Sequence, residues 1–559
     1  MPVHGATVSG WLSCRGQVLS RAGIGVLTWV VAPDLVDEAV GDGLAWEMRL
    51  RLLPSRLGVY FVLGLCLFSH LPYGQVLREM TSGLEAALAA AGWQVPATTA
   101  LTGVRRRVGE KPLESLFRRL CPALAPGRSP WSHVCGLLAV AWDGTTVDAE
   151  ASQPNTAAFG KPGAGRGRPA AGGQEQGTGA AAYPQLRLVA LVACGTRALL
   201  DAAFGPARGQ GTGERELARQ LLGSLRGGML LLADRNFYSY QLWNAAAAAG
   251  AQLLWRVKAG MHLPVVRELP DGSWLAHIND PRAVTARVHK NGKRRRRGSA
   301  LPPDTAPLPG ITVRVIEFIL TVTTDNGGIR TERYRLITTL TDWRACPAGD
   351  LAAGYAWRWA IETGYREFKT YLRGPGRRLR GQTPDLARQE LWAYLIIYQA
   401  IRVIITRAAA GSGLDPDRIS FTATLHAARR TVLTARASMN TALAGTEAAI
   451  LTSLVPQRDG RVCPRAVNKP VSPYPSKRNH AGPLSQHASY TATITTPSTP
   501  PHTSTDQHKQ PKQQPDNPPL NSWHWVITGP VFHRAGLPRR DAATGGSAGA
   551  GGAISPRRR

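Results

Sequence analysis

Three acids stand where this sequence could do chemistry. Asp143 closes the apolar run Gly136 to Asp143 (GLLAVAWD), Asp234 sits near the end of GMLLLADR (Gly228 to Arg235), and Glu362 lies within YAWRWAIETGYREFK. Short apolar runs that end in an acid suit buried strands, and open α/β sheets place their sites at the carboxyl ends of such strands. A lone strand-end aspartate is more often a cap or turn residue. Two of them with a third acid on a helix point instead to a carboxylate cluster. Carboxylates held within a few ångströms of each other repel unless cations neutralise them. Oxygen-only ligands suit Mg²⁺ or Mn²⁺, and a pair of such ions is a usual means of phosphoryl transfer.

The segment around Glu362 sharpens this reading. Tyr355, Arg358, Glu362 and Lys369 fall at offsets 0, 3, 7 and 14. On a regular helix at about 100° per residue they occupy roughly 0°, −60°, −20° and −40°, one narrow stripe. A carboxylate, two cations and a phenol make a poor core face and a good surface for a metal beside a phosphodiester. Glu362 is expected to ligate, while Arg358 and Lys369 hold phosphate oxygens. A salt-bridged surface helix is the bland alternative, but it does not account for acid and bases sharing a face with Tyr355. Glu367 lies on the other side and reads as solvated or ion-paired.

Several elements must position these residues. Residues 1–22 are Gly-rich and read as a flexible N-terminus. Apolar residues three and four apart mark 23–125 as a helical N-terminal domain suited to DNA binding, closed by the breaker cluster Pro122 to Pro130. Residues 131–258 alternate apolar strands (Gln185 to Cys194, Ala198 to Phe204, Gln252 to Lys258) with helices from Glu214 and Tyr240, an α/β pattern. The Gly-rich stretch 160–179 between them reads as a loop. Residues 259–345 alternate polar and apolar around Asn291-Gly292 and Asn326-Gly327 and read as a β-rich insertion, with KNGKRRRR (Lys290 to Arg297) at a hairpin tip. Helical pattern returns over 346–455. Residues 456–559 hold 16 of the 41 prolines among Ser, Thr and Gln runs and are expected to be disordered and of low complexity.

At this point the residues resemble a known family. Y-x2-R-x3-E-x6-K is the signature of bacterial insertion-sequence transposases of the IS4 family, within the DDE class, and it is matched in full by Tyr355, Arg358, Glu362 and Lys369. LLADRNFYS around Asp234 is similar to the family's second-aspartate block. AWDGTTVD resembles the first, with Asp143 as the acid and Asp148 a weaker candidate. RLRLLPSRLGVYFVLGLCLFSHLPYGQVL resembles the N-terminal helical domain. One departure is Asn236, where glycine is the family's residue after Asp-Arg.

The resemblance implies an RNase-H-like α/β catalytic domain interrupted by a β-rich insertion, preceded by an all-α N-terminal domain. The insertion falls within the 128 positions between Asp234 and Glu362. Asp143, Asp234 and Glu362 would hold Mg²⁺ or Mn²⁺, two ions, for cut-and-paste cleavage and joining of DNA at an element's terminal inverted repeats. Tyr355, Arg358 and Lys369 would contact that DNA, and an aromatic of the insertion, Trp274 or Trp343, would stack a flipped base. The expected partners are double-stranded DNA, repeats and target alike, and a second copy of the chain in a homodimer. The expected location is the cytoplasm of a bacterium. A catalytically inactive end-binding remnant and a metal-dependent nuclease without strand transfer remain the alternatives.

Composition agrees with a polyanionic partner: 67 Lys and Arg stand against 37 Asp and Glu among 559 residues, a formal charge of +30. Part of that charge is assigned to a functional surface of Arg358, Lys369, the 290–297 run, which reads equally as solvated or as phosphate-contacting, and Arg373 to Arg380 after the Glu362 helix. The longest apolar runs, Gly58 to Phe68 and Leu391 to Ile405, read as buried helices rather than membrane spans. Seven cysteines without a C-x-x-C pair argue against a disulfide framework, and Cys66, Cys135 and Cys194 read as core. The thirteen histidines show no metal-ligand spacing, and no phosphate-cradling glycine motif suggests ATP use.

Overall fold

A helix with no polar side must be buried all round, and SRLGVYFVLGLCL meets that condition. Its residues form α2 (Ser55–Leu67), in which every residue from Leu57 to Leu67 is buried. The computed structural model describes residues 22–42, 53–90, 93–121, 131–161, 183–208, 212–296, 308–324, 329–433 and 438–455, with short stretches at 461–462, 488–495 and 525–528. Around α2 lie α1 (Pro33–Asp42), α3 (Tyr73–Thr81), α4 (Glu85–Ala90), α5 (Thr98–Val108) and α6 (Lys111–Leu120). The Pro122 to Pro130 breaker lies outside the described residues.

A mixed sheet follows. Its elements are β1 (His133–Val134), β2 (Leu137–Asp148), α7 (Gln153–Phe159), β3 (Gln185–Ala193), β4 (Leu199–Pro206), α8 (Glu214–Gln220), β5 (Met229–Ala233), α9 (Tyr240–Ala248) and β6 (Gln252–Arg256). The strands run in the order β4-β3-β2-β5-β6. β2, β3 and β4 pair antiparallel, whereas β2, β5 and β6 pair parallel. The apolar run alone predicts a strand ending at Asp143, but β2 continues to Asp148 with β3 as its partner. Its pairing to β5 stops at Ala141.

The segment 259–345 contains β7 (Val265–Glu268), β8 (Trp274–Asn279), α10 (Pro281–Arg296), β9 (Gly310–Thr324) and β10 (Ile329–Thr338). It extends the sheet, since β10 pairs antiparallel with β6 and then with β9. Asn326-Gly327 lies outside the described residues, between paired strands. The second turn signal is corrected: Asn291-Gly292 lies inside a helix, not at a hairpin tip. Asp280 caps that helix, its carboxylate accepting from the Arg282 N–H at 2.8 Å, with Pro281 in the first helical position. An Asp-Pro helix start outweighs an Asn-Gly dipeptide flanked by Ala, Arg and Lys, which are good helix formers.

Beyond the sheet runs a continuous helical rod: α11 (Ala348–Tyr355), a 3₁₀ turn (Ala356–Arg358), α12 (Trp359–Arg366) and a π-helical turn (Glu367–Leu372). α13 (Pro384–Ser412), α14 (Phe421–Leu433) and α15 (Met439–Leu451) complete the helices. α13 is long and apolar enough to cross a membrane, but 78% of its most apolar window is buried inside the protein, as expected for a core helix. The expectation of disorder over 456–559 is corrected at three places, β11 (Arg461–Val462), β12 (Ala488–Thr495) and β13 (Trp525–Thr528). β12, with sequence ASYTATIT, pairs antiparallel with β9; its Tyr, Thr and Ile content suits a strand.

One core joins the N-terminal helices, the C-terminal helices and one face of β3 and β4. A second fills the opposite face of the sheet beneath α8 and α9, and a third lies under α11. At the first of these, buried Arg105 of α5 bonds Gln389 at 3.2 Å and the Leu386 carbonyl at 3.1 Å, and lies 3.5 Å from Glu390, all on α13. The cysteine reading is corrected too: Cys135 and Cys346 form a disulfide, with their Cα atoms 5.6 Å apart. Cys135 is not core, because it occupies the β1–β2 turn at φ 49°, whereas Cys66, Cys121 and Cys194 are buried free thiols.

Candidate active site

Neighbouring parallel strands deliver the two aspartates. Asp143 lies just past the last β2–β5 pair, and Asp234 directly follows β5. Both therefore emerge at the same end of adjacent strands, while the rod carries Glu362 and Arg358 across that end. Arg358 is only 9% exposed, and its guanidinium joins the acids: it lies 3.5 Å from Asp143 Oδ2 and 3.0 Å from Glu362 Oε1. Asp234 is also within its electrostatic reach. Three chain segments thus converge on one cation.

Asp143 is held by its surroundings. Its Oδ1 accepts from the Gly144 N–H at 2.8 Å, and its carbonyl accepts from the Tyr365 hydroxyl at 2.6 Å. The same hydroxyl accepts from the Ala190 N–H at 3.2 Å, so α12 is bonded to both β2 and β3. Burial pushes the Asp143 carboxyl up to about 6; Arg358 and the Gly144 N–H oppose the shift, and the Glu362 and Glu214 charges add to it. Glu214, in the first turn of α8, packs so closely that a Cβ on Gly144 would lie 2.4 Å from its Oε1. Negative charge exceeds positive here, which suits a cation. The oxygen-only donors fit Mg²⁺ or Mn²⁺. Among the described residues, however, no three potential ligands stand close enough to hold an ion. Asp143 and Glu362 are instead paired with Arg358.

The stripe read on a uniform helix is only partly realised. Tyr355 is 4% exposed and donates to the Ala233 carbonyl at 3.3 Å, the residue before Asp234. Burial holds its phenol well above the usual tyrosine range. It braces the second aspartate instead of standing open to a phosphate. Lys369 falls in the π turn, where the Arg373 N–H reaches back to the Phe368 carbonyl at 3.1 Å. The change of pitch turns Lys369 away from Glu362, to a place where Arg373 and Asp148 are its charged neighbours; burial first, then Arg373, lowers its pKa. Glu367 is ion-paired, the second of its two readings, but deep in the protein, with Arg197 at 2.7 Å and with Arg402.

Trp274 and Trp255 are core side chains, which removes Trp274 as a stacking candidate; Trp343 is partly exposed under the Arg344 guanidinium. Arg373 to Arg380 is corrected from a functional surface to largely structural contacts. Arg373 is buried, Arg377 donates to the Ser69 carbonyl at 2.8 Å, and Arg380 donates to the Leu71 and Leu65 carbonyls. These carbonyls cluster at the carboxyl end of α2, where cations are favoured. Asn236 needs no glycine, since its backbone is not left-handed. Two residues escaped the sequence reading: Tyr365, legible only as the position one turn after Glu362, and Trp359, which is 51% exposed between Arg358 and Glu362.

Two family models match the chain: the insertion element 4 transposase N-terminal model over residues 21–118, and the transposase DDE domain over residues 136–400. The chain belongs to the IS4 family of DDE transposases. It is 27% identical over 405 residues to the Transposase InsG for insertion sequence element IS4 of Escherichia coli (strain K12), which covers 72% of this chain and 81% of that protein. Among solved structures, the piggyBac transposase synaptic complex with hairpin DNA aligns over 80% of this chain and 85% of that one. Its 10% identity and TM-score of 0.33 are too low to assign a shared fold. Asp143, Asp234 and Glu362 all fall within the segment matched by the DDE domain.

Proposed function

We propose that this DDE transposase cuts and joins phosphodiester bonds at the ends of its insertion sequence, with Asp143, Asp234 and Glu362 as the catalytic acids. The observation that carries this reading is the convergence of two adjacent strand ends and Glu362 on Arg358. The strand order β4-β3-β2-β5-β6, three antiparallel and then two parallel to the first, supports an RNase-H-like core. The three acids would hold Mg²⁺ or Mn²⁺, a pair of ions in this mechanism, which when bound would activate an attacking oxygen and stabilise negative charge on the phosphate and leaving-group oxygens.

The protein's own groups do the remaining work. Tyr365 fixes the backbone of Asp143, and Tyr355 fixes that of Ala233, so both aspartates are set before substrate arrives. Arg358 pairs with both Asp143 and Glu362 in the free protein; a DNA phosphate offers it a competing bidentate anion. Trp359, exposed beside it, presents a face on which a base can stack. Lys369 contacts a backbone phosphate outside the acid cluster. The DNA complex is a homodimer acting in the bacterial cytoplasm.

The test uses purified protein, labelled duplexes carrying the terminal inverted repeats, and Mg²⁺. The parent should bind, cut and join. Asp234→Ala and Glu362→Ala should bind these ends yet leave them intact. Cleavage persisting in both variants would overturn the assignment of the acids. Binding without cleavage by the parent would identify an inactive remnant, and cleavage without joining a nuclease.

A further inference from the structure

Among the described helices α10 is the most basic, and none of its residues belongs to a hydrophobic core. α10 carries seven Lys and Arg and no Asp or Glu over its 16 residues. Its length is about 24 Å. It leaves the sheet edge where β8 pairs with the start of β9, and its base is pinned by the Asp280 N–H donating to the Pro309 carbonyl at 2.7 Å. Beyond that root most of its described side chains are exposed. Val284 is 37% and Val288 65% exposed, and Arg282, His289, Lys290 and Arg296 are also exposed. Two exposed valines one turn apart thus sit on a helix whose charged residues are all cations, a combination that favours an anionic partner with apolar groups of its own.

We infer that α10 docks in the major groove of duplex DNA. At about 100° per residue, Val284, Val288 and Asn291 lie within roughly 60° of arc, with Arg287 and Lys290 to one side and His289 and Arg296 to the other. A helix so arranged places methyl groups and an amide towards base edges and cations towards the phosphates of both strands. The major groove admits an α-helix, and methyl groups there contact the thymine methyl. The charge complementarity selects DNA over a second copy of the chain, which would bring its own seven cations to the contact. This inference rests on the reading of the protein as acting on DNA, and it assigns a binding surface separate from the acids.

The experiment measures anisotropy of a labelled duplex bearing the element's end, and of an unrelated duplex, over a range of salt. In one variant Lys290, Lys293, Arg294, Arg295 and Arg296 are all changed to Ala, which preserves helix propensity. In a second, Val284 and Val288 are changed to Ser. The charge variant should unfold at the parent's temperature, because α10 contributes little to the cores. It should bind both duplexes at least tenfold more weakly, with a salt slope shallower by about 0.9 for each phosphate it no longer neutralises. The Val284→Ser/Val288→Ser variant should keep the slope and lose severalfold of its preference for the element's end. A charge variant that binds like the parent overturns the inference, as does one that changes only the oligomeric state. Unchanged preference in the valine variant overturns the groove placement. A parent that binds duplex through α10 but cuts nothing would leave this inference standing and identify the inactive remnant instead.

Discussion

The raised pKa of Asp143 couples the acid cluster to stability. A carboxyl at about 6 in the fold and 3.8 when unfolded binds its proton more tightly in the folded state. Ionisation therefore costs folding energy as pH rises from about 4 to about 6, by on the order of 3 kcal/mol at most. Asp143→Asn should thus unfold at higher temperature than the parent at pH 7.5, with the gap closing below pH 4. A gap that does not change with pH would mean the carboxyl is not shifted. Tyr365→Phe acts through position. It removes the partner of both the Asp143 carbonyl and the Ala190 N–H. Unfolding by denaturant should show a loss of about 1–2 kcal/mol, and cleavage should fall while end binding stays at the parent's level.

At the scale of elements, the rod explains what the sequence could and could not disclose. The strands around Asp143 and Asp234 were legible because apolar runs ending in an acid have little else to be. The buried helices Ser55–Leu67 and Pro384–Ser412 were legible from apolar character alone. The rod was legible as a helix but not as one with three pitches, since offset arithmetic assumes a constant rotation per residue. The 3₁₀ and π turns decide that Tyr355 faces inward, that Lys369 leaves the stripe, and that Glu367 is buried. π turns are frequent at functional sites; here the turn brings Glu367 between Arg197, which sits at φ 55°, and Arg402. Glu367→Ala should therefore cost about 3–5 kcal/mol, because it strands buried cations, whereas Glu362→Ala should cost within about 1 kcal/mol, since its carboxylate is 43% exposed. Equal losses in chemical denaturation would contradict that assignment of burial.

At the scale of the whole molecule, the helical N-terminal region is not a separable module. Its core is continuous with residues 361–450. Val26, near the start of the described chain, donates to Thr431 at 2.9 Å, 405 positions away. Among the described residues, the Arg105 side chain bonds only Tyr73 and residues of α13. A fragment ending at residue 130 should lack the cooperative unfolding of the full chain and show little amide protection in hydrogen exchange; a stably folded fragment would refute this. The positive charge is divided along the same lines, with several arginines used inside the protein on carbonyls at the end of α2 and just beyond it, and Arg282, Lys290 and Arg296 of α10 exposed.

That shared core has a genetic consequence. Mobile-element genes decay by truncation as well as by point mutation, and the two routes lead to different proteins here. A copy broken between the N-terminal helices and α13 loses one side of that shared hydrophobic interior and should yield no stably folded product to occupy the element's ends. On the proposed reading, a full-length copy altered only at Glu362 should keep its fold and its grip on DNA. Interference between copies within one genome would therefore come from intact reading frames carrying single substitutions, while shortened frames stay silent.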